Sequence, residues 1–263
     1  MLGLGANITS SGSLAETLPS EIGTLLYWFR HKTGVTTDGS IISGWEDQGS
    51  RGENLSQSSS GRQAPYNSST GAIDFTSVES SGASNRLEFS SIQTMPQSFT
   101  LFFVADFQPT GLGESTDYHG FSASTDGSNL NLYDNTSDMS ATYWQMTLAA
   151  GPGNNSTINQ QTNPDPLTNV KTLTVISCED ADGGEISISF GGSDDSATAI
   201  TGAGIVSLNG ENQFSIEHVG HNAATPVRQL GGDLYEWGVY NGNLSTAQIQ
   251  QLFSSMQSRG LIG

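Results

Sequence analysis

Gly231-Gly232-Asp233-Leu234-Tyr235-Glu236-Trp237-Gly238-Val239-Tyr240 runs into Asn241-Gly242-Asn243 and then into Leu244-Ser245-Thr246-Ala247-Gln248-Ile249. Read in order, this is a strand, a reversal and the start of a helix. Asp233 to Tyr240 carries the aromatic and β-branched side chains that suit a pleated surface, and Asn241-Gly242 supplies positive-φ residues for a sharp turn. Ser245 with Gln248 three positions on forms a capping box, each side chain satisfying a backbone donor that the first helical turn leaves bare. Ile249, Leu252, Phe253 and Met256 then recur at the spacing of one apolar helix stripe, and Gly260 is placed to end it after Arg259. No other stretch predicts a helix as clearly.

Working outward, strand-sized apolar runs alternate with turn residues. Residues 22–29 read as the first strand, followed by 72–75 and 86–89. Residues 99–107 are apolar on both faces, which predicts a central strand covered by a second sheet on one side and by loops or the helix on the other. Residues 129–134, 141–148, 170–178 and 214–219 add further strands. In 185–190, Ile186, Ile188 and Phe190 alternate with polar residues, and Asp182-Gly183-Gly184 reads as the hairpin turn before that run. Residues 149–169 and 191–204 read as long surface loops. More than ten short strands and one terminal helix predict an all-β fold, a two-sheet antiparallel jelly-roll sandwich with one short C-terminal helix. Residues 1–21 read as an extended N-terminal arm and 22–263 as the domain.

Composition agrees. Thirty-two glycines and a hydrophobic content of 34% fit many turns between short strands, and the grouping of the apolar residues argues against a disordered chain. Eight basic against 26 acidic residues leave a formal charge of −18, which repels phosphate backbones and anionic membranes, so nucleic acid and membrane insertion are not expected. Cys178 is the single cysteine, which precludes an intramolecular disulfide. The N-terminus lacks the basic and apolar regions of a secretory signal.

Two regions carry a family resemblance. The closing segment from Gly231 to the capped helix is similar to the last strand and helix of concanavalin A-like lectin/glucanase domains, the laminin-G-like jelly rolls. Near the start, Leu25-Leu26-Tyr27-Trp28-Phe29, the W-x-D element Trp45-Glu46-Asp47 in a Gly-rich loop, and Arg62-Gln63-Ala64-Pro65-Tyr66 resemble that family's opening. The glycine- and leucine-containing arm, with Leu2, Leu4, Ile8, Leu14 and Leu18, resembles the N-termini of virion structural proteins of marine tailed phages, including cyanophages. These resemblances imply a non-enzymatic virion structural protein. It would be an exposed decoration or fibre-type lectin-like domain on capsid, neck or tail, in contact with other virion proteins and present as a homo-oligomer, a trimer being preferred. The alternative is a carbohydrate-binding receptor-recognition module for a host surface glycan, and after it a glycan hydrolase.

Candidate sites follow from residue type. Retaining glucanases of this fold need carboxylates on one sheet face, but a turn at Asp182–Gly184 would separate Glu179 from Glu185, so no catalytic residue is assigned. Asp180, Asp182 and Glu185 offer hard oxygen ligands, with Asp126, Asp134, Asp138 and Asp194 as further contributors, making calcium the one cofactor considered. Tyr118, His119, Tyr143 and Trp144 combine aromatic faces with polar tips near Asn-rich loops, the composition of a sugar platform; alternation sets Tyr143 and Trp144 on opposite faces. His218 and His221 lack a third zinc ligand nearby in sequence.

Overall fold

The computed structural model describes residues 17–76, 85–108, 118–126, 128–134, 144–149, 155–160, 171–179, 182–191, 204–207, 214–220 and 230–263. The arm at 1–16, Tyr143, Asp138, Asp180, Asp194 and His221 lie outside these residues.

The elements in chain order are α1 (Pro19–Ile22), β1 (Leu25–Phe29), β2 (Val35–Asp38), β3 (Ile41–Trp45), β4 (Leu55–Ser56), β5 (Tyr66–Asn67), β6 (Ala72–Asp74), β7 (Leu87–Thr94), β8 (Phe99–Phe107), β9 (Tyr118–Ala123), β10 (Asn129–Asp134), β11 (Trp144–Ala149), β12 (Asn155–Gln160), β13 (Thr172–Cys178), β14 (Asp182–Gly191), β15 (Gly204–Ser207), β16 (Ser215–Val219), β17 (Gly232–Asn241) and α2 (Thr246–Ser258). They form two antiparallel sheets. The first runs β15-β14-β13-β8-β17-β6-β5, with β1 also on β17; the second runs β12-β11-β10-β9-β16-β7-β4-β3-β2. This is the two-sheet sandwich with a C-terminal helix that the sequence predicts.

β8 lies between β13 and β17 and serves two cores. Phe99, Leu101, Phe103 and Phe107 face the second sheet, while Phe102 and Val104 face the layer built by α2. Aromatic rings bind the inner layer: Phe29 stacks on Trp237 at 4.6 Å between centroids, and Phe103 on Phe121 at 4.4 Å. On the outside of the first sheet, Leu252, Phe253 and Met256 of α2 close over Phe102, Leu173 and Tyr240. The capping box forms as read, with Ser245 N–H donating to Gln248 Oε1 at 3.0 Å, and Gly242 takes φ +92 in the turn before it.

Several local readings need correction. The first strand starts at Leu25, because Pro19 suits the first position of a helical turn and Glu21 Oε2 accepts the Leu18 N–H at 2.7 Å. Trp45 ends a strand rather than standing in a loop. Residues 182–184 belong to β14, because its bulged start pairs with β15. Residues 155–160 form β12, although Ile158 is its one large apolar residue. As the edge of its sheet it needs only the backbone ladder with β11, which composition does not reveal.

A buried ion pair pins the helix to the sheet. Glu236, fully buried, accepts from Trp28 Nε1 at 2.9 Å, from the His31 backbone N–H at 3.0 Å and from both terminal nitrogens of Arg259. Removing one partner of such a pair strands a charge and costs about 3–5 kcal/mol. Arg259→Ala is therefore expected to lower unfolding stability by that amount in urea titrations, with Trp28→Phe losing less; a loss below about 1 kcal/mol for Arg259→Ala would contradict this reading.

Candidate functional site

The end of the first sheet that α2 leaves uncovered holds an unusual row. Asp233 on β17 stands directly opposite Asp74 on β6 and Asp106 on β8. Alternation fixes the face of all three: Ile73, Leu234, Ala105 and Phe107 enter the inner core, so the aspartates lie on the outer side. Tyr235 follows to the same side by alternation and joins the outer core, and the bulge between Leu234 and Glu236 brings Glu236 to that side as well, opposite Val104.

Like charges directly opposite on neighbouring strands destabilise a sheet. Here burial adds to the effect, pushing the Asp233 carboxyl above its usual range, with the charges of Asp74 and Asp106 pushing the same way. Burial likewise raises Asp106, opposed by Lys171. Neutralisation is partial. Asp74 Oδ1 accepts from the Thr76 N–H at 2.7 Å, and Asp233 Oδ2 accepts from the Tyr235 hydroxyl at 3.4 Å. Asp106 Oδ1 is buried without a hydrogen-bond partner. The Lys171 ammonium, one residue beyond the Thr172–Ala105 pair, lies over the Tyr235 ring at 4.3 Å.

Asp74 and Asp233 border an open groove of about 480 Å³ whose lining includes Ser40, Pro65, Tyr66 and Asn67. Tyr66 is half-buried against the inner core. Asn67 Oδ1 is taken by the N–H groups of Ser69 and Thr70 at 3.0 and 3.2 Å, which leaves its amide N–H groups as donors. The groove thus offers carboxylate acceptors, amide donors and an aromatic ring within one depression. Among the described residues no group of three or more His, Cys, Asp or Glu side chains is arranged to hold a metal ion.

The residues singled out from sequence fall elsewhere, with Tyr118, His119 and Trp144 on strands of the second sheet and Asp182 and Glu185 on the first. Tyr118 pairs with Tyr133, and His119 with Leu132. Trp144 pairs with Asp134. Asp182 and Glu185 stand in β14 opposite Ser207 and Ile205, and Glu179 follows β13 at the exposed surface, so the two glutamates belong to different segments. Asp126 is engaged by Ser215 Oγ at 2.5 Å and the Ser128 N–H at 2.9 Å, and these bonds hold its carboxyl below the usual range despite burial.

Sequence reading missed Asp74, Asp106, Tyr66 and Asn67 as a group, and treated Asp233 as a fold residue. Each is unremarkable on its own strand. Only the register of three strands makes them neighbours.

No family model and no curated protein matches the chain. Among solved structures it is similar to the botulinum neurotoxin serotype D binding domain, with TM-score 0.55 and 7% identity over 89% of this chain and 51% of that one. The serotype D ligand-binding domain in complex with N-acetylneuraminic acid gives TM-score 0.54 and 8% identity over 88% and 50%. A Trypanosoma rangeli sialidase structure aligns at TM-score 0.48 and 15% identity over 89% of this chain and 33% of that one, too slight a likeness to argue from. The chain spans about half the length of the toxin chains it matches. At these identities the likeness establishes the fold alone, a two-sheet jelly-roll sandwich.

The aspartate row has a measurable signature. Because the folded pKa of Asp233 is raised, its contribution to stability is full below about pH 4, the unfolded carboxyl range, and is lost as pH rises through the folded value. Asp233→Asn is therefore expected to be more stable than the wild type at pH 7 by about 1 kcal/mol, the gap closing towards pH 4 in urea titrations. A variant less stable than the wild type at pH 7 would contradict this.

Proposed function

We propose that this domain is a non-catalytic carbohydrate-binding module whose groove between β5, β6 and β17 takes a neutral or amine-bearing saccharide. The observation that carries the reading is the row Asp74–Asp233–Asp106, held against its own repulsion beside Tyr66 and Asn67. A local rule broken at a stability cost is most often broken at a functional site. Carboxylates accept hydrogen bonds from paired hydroxyls, Asn67 donates, and an aromatic ring presents an apolar surface to sugar C–H groups.

Electrostatics narrows the ligand. A row of carboxylates in a chain of formal charge −18 repels anionic glycans, so N-acetylneuraminic acid, held by the toxin domain, is a poor match here. Binding rather than turnover fits the carboxyl environments. A glycosidase needs two groups whose surroundings drive their pKa values apart, and Asp233 and Asp106 are both driven upward by the same cause.

The setting expected from the sequence, the exposed surface of a tailed-phage particle, suits such a module. Residues 1–21 would engage other virion proteins, and a homo-oligomer, a trimer in the preferred arrangement, would multiply weak saccharide contacts through avidity. The role is then recognition of host surface glycan, within a virion structural protein.

A panel of immobilised neutral, amine-bearing, sialylated and sulfated glycans tests the reading. The wild type is expected to bind neutral or amine-bearing members, with Asp233→Asn and Tyr66→Ala each weakening binding at least about tenfold, some 1.4 kcal/mol. Preference for sialylated glycans, or binding untouched by both substitutions, would overturn it; release of reducing sugar would replace it with hydrolysis.

A further inference from the structure

The aspartate row does not end at Asp106. Lys171, the residue before β13, falls opposite Asp106, so the row reads Asp74, Asp233, Asp106, Lys171 from strand to strand. Opposite charges in facing positions attract and normally close on each other. These two stay apart. Lys171 sets its ammonium 4.3 Å from the centre of the Tyr235 ring, while Asp106 Oδ1 is buried without a hydrogen-bond partner.

Lys171 also has cationic company. His31 meets the Tyr235 ring edge-on at 6.0 Å between centroids, and its neighbour Arg30 holds its guanidinium over the Trp28 ring at 5.2 Å. Lys32 Nζ donates to the Ser69 carbonyl, and His31 Nε2 donates to the Thr70 carbonyl at 2.8 Å. Burial holds the His31 imidazole below its usual range, and the charges of Lys32 and Lys171 push it the same way, so both lysines lie within electrostatic reach of one ring. Three of the eight Lys and Arg residues thus gather around Tyr235 and Trp28. The chain has 26 acidic residues to pair with them. Yet among the described residues none of the three forms an ion pair, whereas Arg259 nearby is neutralised by Glu236.

We infer that the aspartate groove and this cationic patch are two halves of one bipolar site, whose ligand is a zwitterionic saccharide carrying an ammonium and an anionic group, carboxylate or phosphate, on the same or the adjacent sugar. The ammonium lies along Asp74, Asp233 and Asp106; the anionic group meets Lys171, with Lys32 and Arg30 behind it. A neutral sugar leaves both halves unmatched, a purely cationic one leaves the lysines unmatched, and a purely anionic one is turned away by the row. Asp233 and Lys171 stand two interstrand spacings apart, roughly 10 Å, a span that two linked sugars can cover. Holding Lys171 over Tyr235 is what keeps the halves separate, since a lysine closed on Asp106 would cancel both. This deepens the saccharide reading above and rests on it, and the experiment distinguishes the failure of one from that of the other.

The full chain is titrated calorimetrically with four probes: a disaccharide of glucosamine and glucuronic acid, its N-acetylated form, a disaccharide of two glucosamines, and glucosamine 6-phosphate. The zwitterionic disaccharide is expected to bind at least about tenfold more tightly than the N-acetylated acid and than the diamine. Binding of glucosamine 6-phosphate shows whether phosphate serves in place of carboxylate. Lys171→Gln should bring the preference over the diamine within about threefold, and Lys171→Arg should keep it, with thermal unfolding of both variants within a few degrees of the wild type. If the diamine binds as tightly as the zwitterion and Lys171→Gln leaves their ratio unmoved, the bipolar site is wrong and the groove stands. If the N-acetylated acid binds most tightly, the role of the aspartate row falls with it; if no probe binds, the saccharide reading itself falls.

Discussion

Glu236 has no exposed surface, and three parts of the chain converge on it. Arg259 from the end of α2, the indole of Trp28 on β1 and the backbone N–H of His31 each donate to the one carboxylate. A buried charge so satisfied adds little net stability but makes alternative packings costly, since any of them would leave the carboxylate or the guanidinium unpaired in a dry interior. The helix therefore has one position on the sheet, and β1 one register against β17.

That constraint shapes the outer face of the first sheet. α2 covers the outer side of the first sheet over Phe102, Leu173 and Tyr240 and stops short of the end where Asp233 stands. The bulge after Leu234 lets Tyr235 and Glu236 both leave the inner core, one to carry Lys171 over its ring, the other to receive Arg259. A few residues of one strand thus anchor the helix and line the groove. The same sheet face is apolar and closed under the helix, acidic and open beyond it.

Much of the fold was legible in the sequence because its strongest signals are local. The capping box at Ser245 and Gln248, the positive-φ turn at Gly242 and the two-faced apolar run of β8 each depend on residues close in the chain. The edge strand β12 was not legible, since an edge strand needs backbone partners more than apolar side chains. The candidate site was hardly legible at all. Asp74, Asp106 and Asp233 are far apart in sequence, and each reads as an ordinary polar position; their meaning arises from pairing three strands in one register. The aromatic residues that composition singled out, Tyr118, His119 and Trp144, stand on strands of the second sheet, away from the aspartate row.

The proposed function requires the aspartate row to contact a saccharide. Carboxyl ¹³C NMR of the aspartates, followed while a binding neutral or amine-bearing saccharide is titrated in, addresses it most directly. The resonances of Asp74, Asp233 and Asp106 are expected to move together on binding while that of Asp126, across the molecule and held by Ser215, stays fixed. Saturation of the protein with all three resonances unmoved would contradict it.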